Sequence, residues 1–386
     1  MTREPRCLVV VPTYDEAANI TRLLDSVRHA APFADVLVVD DNSPDGTAGL
    51  VGAHPDFGTR IWLLERSEKD GLGAAYRAGF AWALERDYDR IAQMDADLSH
   101  PPERLPALFA ALDDADVAVG SRYVAGGGVA NWAWQRRLLS WAGNRYVRAV
   151  LGTGVHDNTA GFKAFRRSAL EEIGVLASES GGYSFQIENT WRATQAGLRV
   201  EEVPITFTDR TEGQSKMSGA IAVEALSRVL LWRFSEVFTF LAVGGCGYVV
   251  DVVGFNVFRS VEPFRALDPT YARTLAVVLA ILVNYIGNRA YTWRDAPAQD
   301  RRRELSLFVL FSVIGFGFSL VTLVISHDVL GFTSRLADNI SANVIGLGLG
   351  AVFRFWTYKH FVFRAVAAPG SASRLRQERP EGVEAA

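Results

Sequence analysis

The chain has 386 residues, 49% of them hydrophobic, and a formal net charge of −3 at pH 7. That length leaves room for two or three domains, and the charge balance excludes the basic excess of a nucleic-acid-binding protein. Two cysteines far apart, Cys7 and Cys246, exclude a disulfide framework or a cysteine-built metal site and point to a reducing compartment.

Residues 1–6 lead straight into a strand pattern, so no signal peptide is expected. Five apolar runs follow: Leu8-Val9-Val10-Val11-Pro12, then 35–40, 60–64, 90–94 and 116–120. Helical patterns lie between them. Continuous apolar strands alternating with helices predict a mostly parallel sheet covered on both faces. In such sheets ligands bind beyond the carboxyl ends of the strands. Three acidic clusters fall at those ends: Thr13-Tyr14-Asp15-Glu16, Asp40-Asp41-Asn42-Ser43 and Asp95-Ala96-Asp97. Two carboxylates one residue apart suit Mg²⁺ or Mn²⁺ bound against a diphosphate. A plainer alternative stays open at Asp95 and Asp97: they cap a helix that Pro101 and Pro102 begin. Glu16 likewise reads either as a ligand residue or as a first-turn helix residue favoured by the dipole.

Gly126-Gly127-Gly128 predicts a mobile loop after Arg122. Residues 132–151 then read as an amphipathic helix. Trp134, Leu138, Trp141 and Ala142 share one face; Arg136 and Ser140, with Asn144 below, share another. Aromatic and basic faces suit a membrane interface. A second interfacial helix is expected over 218–234. Glu188 is a candidate for orienting Lys163 or an acceptor, and His100 and His156 read as structural.

Beyond residue 233 come four long apolar stretches, 237–258, 271–287, 305–326 and 336–353. A helix of about 20 apolar residues spans a bilayer; the fourth stretch is the shortest and relies on Arg354 snorkelling. The stretches form a duplicated pair. Val243, Gly245, Gly247 and Tyr248 recur seventy residues on as Val313, Gly315, Gly317 and Phe318. Tyr291, Trp293 and Arg294 recur as Phe361, Phe363 and Arg364. Arginine and lysine concentrate after the second and fourth stretches, at Arg289, Arg294, Arg301, Arg302, Arg303, Lys359 and Arg364. The positive-inside rule then places both termini and the soluble domain in the cytosol. Asp251 lies inside the first stretch, either functional or paired with a neighbouring helix. The polar tail, 367–386, is expected to be disordered.

Val11-Pro12-Thr13-Tyr14-Asp15-Glu16, Val38-Val39-Asp40-Asp41-Asn42-Ser43-Pro44-Asp45-Gly46-Thr47, Lys69-Asp70-Gly71-Leu72-Gly73, Met94-Asp95-Ala96-Asp97-Leu98-Ser99-His100-Pro101 and Gly120-Ser121-Arg122-Tyr123-Val124 occur in this order. Together they resemble family 2 glycosyltransferases of the GT-A fold, and among them the dolichol (polyprenol) phosphate mannose synthases, over residues 6–233. Residues 234–366 resemble the GtrA-like four-helix transmembrane domain. The resemblance implies an α/β GT-A catalytic domain over 1–233 followed by an all-α membrane domain. It implies that Pro12, Tyr14, Glu16, Val39 and Asp41 line a nucleotide pocket, with Asp95, Ala96 and Asp97 beside them. Asp97 would hold a divalent metal (Mg²⁺ or Mn²⁺) directly. Asp95 would hold the sugar side or reach the metal through water, and Ser99 stands where some relatives carry Gln as a further ligand. Arg122, Arg136 and Ser140 would bind a lipid phosphate, and Arg210 and Lys216 would clamp phosphates in the closed site. The implied reaction moves mannose from GDP-mannose to a polyprenyl (dolichyl) monophosphate with inversion, at the cytosolic face of a lipid bilayer. A UDP-glucose-dependent transferase, or a lipid-linked sugar translocator with a vestigial transferase domain, are the alternatives.

Overall fold

The computed structural model describes residues 3–208, 219–262, 268–294, 296 and 300–363. Arg210, Lys216 and the tail from 364 lie outside them. The chain divides into two compact units, Met1–Arg233 and Phe234–Ala386.

The first unit alternates strands and helices in chain order: β1 (Cys7–Thr13), α1 (Ile20–Ala30), β2 (Ala34–Asp40), α2 (Thr47–Gly52), β3 (Ile61–Glu65), α3 (Leu72–Leu84), β4 (Arg90–Gln93), α4 (Leu105–Ala111) and β5 (Val117–Ser121). After these come β6 (Gly128–Ala130), α5 (Trp134–Leu151), β7 (Lys163–Arg166), α6 (Arg167–Glu172), α7 (Gly182–Gln195), β8 (Val200–Pro204) and β9 (Thr206–Thr208). Seven strands form one sheet in the order β3-β2-β1-β4-β7-β5-β8. Only β7 is antiparallel to its neighbours. The five apolar runs all lie in this sheet, whereas β7 and β8 carry no such run. Lys163 and Arg166 interrupt β7, and Glu201 and Glu202 interrupt β8.

Alternation along β1 assigns its side chains to two layers. Cys7, Val9 and Val11 pack with Leu23, Leu24 and Leu108 on one face. Leu8 and Val10 pack with Tyr76, Phe80 and Phe185 on the other. Burial pushes the Cys7 thiol up to about 11, as befits an inert core residue. Helix α3 lies close on the sheet because residue 79 is glycine: a Cβ there would collide with Val10 and press on Val39. The strand order reverses direction between β1 and β4. That switch point opens a crevice beyond their carboxyl ends.

The glycine segment after Arg122 is built into the fold. Gly126 takes φ +85°, and a Cβ on Gly127 would strike the Ser121 carbonyl. Gly128 opens β6, which pairs in parallel with β9.

Helix α8 (Gly219–Ser260) is continuous, so the helix expected over 218–234 leads straight into the first span. Three further helices follow: α9 (Pro269–Gly287), α10 (Arg301–Val324), and α11 (Arg335–Asn339) continuing into α12 (Leu347–Thr357). Among the described residues four stretches are long and apolar enough to cross a membrane: Val223–Ser260, Pro269–Thr292, Arg301–Val329 and Arg335–Val362. The shortest has 24 residues, or about 36 Å at 1.5 Å per residue, against a hydrocarbon core of about 30 Å. The fourth runs well past Arg354, so Arg354 is not at a helix end. Its Nε donates to the Gly350 carbonyl, and its stem occupies the place a Cβ on Gly315 would need.

The duplication shows in the second unit's geometry. Asn288–Thr292 and Tyr358–Val362, seventy residues apart, both widen into a π turn. Each is closed by a backbone N–H reaching back five residues: Trp293 to Asn288 and Phe363 to Tyr358, both at 2.8 Å. The two closing rings stack on each other, centroids 4.9 Å apart and 15° from parallel. Asp251 does pair with a neighbouring helix: its Oδ2 lies 2.8 Å from Arg273 of α9.

Candidate active site

Loops from the ends of β1, β2 and β4 meet at the switch point. Each contains a non-glycine residue in the left-handed region: Asp15 (φ 60°), Asn42 (φ 58°) and Leu98 (φ 60°). Such residues are uncommon and gather at functional loops, where the surroundings must hold them. Together with α5 and α7 these loops enclose a cavity of about 550 Å³. Pro12, Tyr14, Glu16, Asp41, Asp95, Ala96, Asp97, Ser99, Arg122, Arg136 and Ser140 all line it. Val39 does not. Its side chain is fully buried in the core beneath α3, because strand alternation turns residue 39 inward and residue 41 follows the strand's end.

The acidic clusters divide their labour. Asp40 is structural: its carboxylate accepts from the Thr13 hydroxyl (2.8 Å) and from the Ser43 N–H and hydroxyl (2.8 and 2.7 Å), tying the β1 loop to the β2 loop. Asp41 faces the cavity and receives Arg66 Nη1 at 2.6 Å. Burial raises the Asp41 carboxyl above its usual range, and Arg66 pulls it only part of the way back. Tyr14 carries the Lys69 ammonium over its ring, 3.4 Å from the centroid, a cation–π contact at the mouth of this end. Glu16 precedes α1 by a turn, so it is not a first-turn dipole residue. Its carboxylate accepts from the Asn19 amide at 2.9 Å.

Asp95 and Asp97 are held differently. The Tyr76 hydroxyl donates to Asp95 Oδ1 at 2.9 Å. Burial and then the Asp95 charge push the Tyr76 phenol well above its ordinary value, so it remains a donor. The Asp95 N–H donates to His100 Nδ1 at 3.1 Å. A neutral His100 therefore carries its proton on Nε2, 4.0 Å from Asp95 Oδ2. Its ring is clamped by Phe162, 5.2 Å away and nearly parallel. Asp97 is almost fully buried, and its Oδ1 accepts from both the Ser99 N–H (3.1 Å) and hydroxyl (2.6 Å). Two carboxylates and a hydroxyl, all oxygen donors, suit a hard divalent cation such as Mg²⁺ or Mn²⁺. Among the described residues no three His, Cys, Asp or Glu side chains are arranged to hold a metal ion by themselves. Such an ion would therefore complete its shell with diphosphate oxygens and water, the usual Mg²⁺ arrangement.

The same cavity is lined by a basic and hydroxylic set. The Arg122 guanidinium grips Asp157 through two bonds, Nε to Oδ2 at 2.7 Å and Nη2 to Oδ1 at 2.6 Å, and Nη2 also reaches Thr159. Burial alone would lower its pKa; the Asp157 charge more than offsets this and holds it protonated. Arg136 lies over the Trp132 ring, 4.1 Å from the centroid. The Ser140 hydroxyl accepts from Tyr123 at 2.7 Å. Leu139, Val147, Ile187 and Leu226 add an apolar part to the lining.

Helix α5 turns Asn144, Val147 and Leu151 inward, and the buried Asn144 bonds Thr159. Its aromatic face is left outside, with Trp134 68%, Leu138 54% and Trp141 52% exposed.

Glu188 does not orient Lys163. It accepts from Ser178 at 2.6 Å and pairs with Arg192. Lys163, fully buried on β7, instead donates to the Gln186 carbonyl (2.7 Å) and the Thr190 hydroxyl (2.9 Å) of α7. Burial draws its ammonium down to about 7, against the opposing pull of Asp157. His156 pairs with Glu202 at the surface. Tyr76, Gln186 and Asp157 were not singled out by the sequence. Each acts through a partner many positions away, as Tyr76 does nineteen residues from Asp95, a relation one sequence does not display.

Comparison with known proteins agrees with this geometry. Residues 8–174 match the family described as glycosyl transferase family 2, and residues 239–363 match the GtrA/DPMS transmembrane domain. The polyprenol monophosphomannose synthase of Mycolicibacterium smegmatis is 51% identical over 232 residues, 59% of this chain and 86% of that one. The undecaprenyl-phosphate mannosyltransferase of Micrococcus luteus is 48% identical over 227 residues, 59% of this chain and 93% of that one. The dolichol-phosphate mannosyltransferase of Pyrococcus furiosus is 29% identical over 366 residues, 91% and 97% of the two chains, and so extends through the membrane domain. With four apolar helices in that domain, this is an integral membrane protein. The chain belongs to the family 2 glycosyltransferases, among the polyprenol-phosphate mannosyltransferases, and carries a GtrA/DPMS transmembrane domain.

Proposed function

We propose that this enzyme transfers mannose from GDP-mannose to a polyprenyl (dolichyl) monophosphate with inversion, at the cytosolic face of the membrane. One observation carries the reading. A single cavity is lined by the Asp95–Asp97 carboxylates together with Arg122, Arg136 and Ser140, and by the apolar side chains of Leu139, Val147, Ile187 and Leu226. Carboxylates call for a cation and a diphosphate; arginine and hydroxyl donors call for a second phosphate, and the apolar wall calls for a lipid on it. The similar proteins are mannosyltransferases by name, which favours mannose over glucose.

Asp95 and Asp97, braced by Tyr76, His100 and Ser99, would hold Mg²⁺ or Mn²⁺, which when bound supplies positive charge for the departing diphosphate. Tyr14, Glu16 and Asp41 would take the nucleoside, the carboxylates accepting from base or ribose donors. Arg136 and Ser140 would take the acceptor phosphate. Arg122 would contribute chiefly by fixing this wall, since Asp157 already occupies two edges of its guanidinium. Arg210 and Lys216 remain candidate phosphate clamps on sequence grounds. A phosphate monoester with second pKa near ~6 is largely dianionic at neutral pH. Its oxygen attacks C1 of the sugar as the C1–oxygen bond to the diphosphate breaks, and GDP leaves with the electron pair. No proton has to be removed from the nucleophile, so no general base is required. In-line attack inverts C1 and gives the β-mannosyl phospholipid.

Incubating membranes that contain the protein with polyprenyl phosphate and labelled GDP-mannose or UDP-glucose tests this. Label should enter lipid from GDP-mannose and fall at least about 100-fold in Asp97→Ala, the scale of losing an electrostatic stabiliser. Lipid labelling from UDP-glucose alone would overturn the donor assignment.

A further inference from the structure

We propose that the side-chain amide of Gln186 binds a hydroxyl of the transferred hexose and that Lys163 is the positioning residue that aims it; the inference rests on the nucleotide-sugar reading of this cavity. Gln186 is 2% exposed, yet it lines the cavity on α7 beside Gly182, Tyr183 and Ile187. A chain of demands fixes which end of its amide faces where. The Gly161 carbonyl needs a donor, so it takes Gln93 Nε2 at 2.9 Å. The same nitrogen donates to Gln186 Oε1. Lys163 Nζ reaches that oxygen at 3.4 Å and the Gln186 carbonyl at 2.7 Å. Reversing either amide would set donor against donor or acceptor against acceptor. Gln186 Oε1 is thus engaged from two sides, while Gln186 Nε2 and Gln93 Oε1 are both buried with no partner among the described residues. An unmet buried donor is costly, and an oxygen of a bound ligand removes that cost.

Position and charge identify the ligand group. Gly161 touches both ends of this arrangement: its carbonyl bonds Gln93, and a Cβ on it would sit 3.2 Å from Asp95 Oδ2. Gln186 is therefore tied, through Gln93 and Gly161, to the part of the lining that carries Asp95. Diphosphate at that end is matched by cations; a neutral amide N–H matches a neutral hydroxyl, which the hexose supplies. Lys163 has no carboxylate within ion-pair distance among the described residues, and its donors are directed to Gln186 and Thr190 of α7. Its burial is accounted for if it holds that turn of α7 in register with β7.

The test is equilibrium binding to the full-length protein in detergent, without acceptor. Affinities for GDP-mannose and for free GDP are compared in wild type, Gln186→Leu, Lys163→Met and the double variant. Each single change should weaken GDP-mannose by about 10-fold and leave GDP within about 2-fold, the scale of one lost hydrogen bond. The double variant should lose no more than either single one, because the two residues act on one contact. Undiminished GDP-mannose affinity in Gln186→Leu would overturn the assignment. Equal weakening of GDP and GDP-mannose in Lys163→Met would show a merely structural lysine and overturn its positioning role. If the wild type binds UDP-glucose instead, the donor reading fails by itself. The Gln186 comparison is then made between UDP-glucose and UDP, where the same sugar-dependent loss is expected.

Discussion

At the scale of single residues, the site depends on contacts that leave no slack. Gly161 is tightly flanked: a Cβ there would lie 3.2 Å from both Asp95 Oδ2 and His100 Cε1, so one of them must give way. Gly161→Ala should therefore shift Asp95 by a few tenths of an ångström and lower kcat by about 10-fold or more, since small misplacements are amplified in positioned chemistry. Steady-state transfer assays check this; unchanged kcat would mean that Asp95 has freedom the contacts deny. Lys163 gives a pH signature. Its folded-state value lies near 7, below the ordinary 10.5. Between those values the unfolded chain retains the proton and the folded chain has released it. Stability from this group is thus fully present above about 10.5 and is lost as pH falls through 7. Lys163→Met should lack that rise, so its urea midpoint in detergent, relative to wild type, should differ between pH 6.5 and pH 9. A pH-independent difference would refute the burial argument. Asp95, Asp97, Asp41 and Tyr14 were legible in the sequence because polar residues directly after apolar strands are conspicuous. Tyr76, Asp157 and Gln186 were not, since their partners lie 19, 35 and 93 positions away.

At the scale of elements, we propose that α5 joins the chemistry to the lipid. One face bears Arg136 and Ser140 on the cavity, and another leaves Trp134, Leu138 and Trp141 largely exposed. Apolar surface of that kind is retained where something other than water covers it, and an interfacial helix with aromatic anchors is the simplest cause. Replacing Trp134 and Trp141 together by Ser should raise KM for polyprenyl phosphate in vesicles about 10-fold, while KM for the sugar nucleotide stays unchanged. Equal effects on both would place the tryptophans in folding, not in membrane contact. The heptad-scale pattern predicted α5, whose start is observed at Trp134. The helix expected over 218–234 runs unbroken into the first span, because nothing in 219–260 forbids helix: the glycines there are isolated or paired, and no proline occurs. The short strands β6, β7 and β9 escaped notice because three or four residues carry too little periodicity to read.

At the scale of the whole molecule, the membrane domain is a duplication whose two halves end alike. Tryptophan and phenylalanine seventy positions apart stack on each other, and matching π turns close both. The basic residues clustered after each half lead us to place the soluble unit and both termini in the cytosol. A protease-sensitive tag on the C-terminus should therefore be cut only after intact cells are permeabilised; cleavage from outside would reverse the topology. By itself the sequence determined the alternating α/β pattern, the acidic strand ends, the four apolar spans and their repeat. Each is a local or periodic property: side-chain period, turn chemistry, and the length of helix a bilayer requires. Tertiary structure alone decided which acidic residue lines the cavity and which is a strut, with Asp41 facing the cavity and Asp40 tying two loops. It also buried Val39, bound Arg122 to Asp157, and tied Gln186 through Gln93 and Gly161 to the lining that carries Asp95. Those outcomes depend on which groups meet across the sheet, and burial prices an unpaired polar group only once its neighbours are in place.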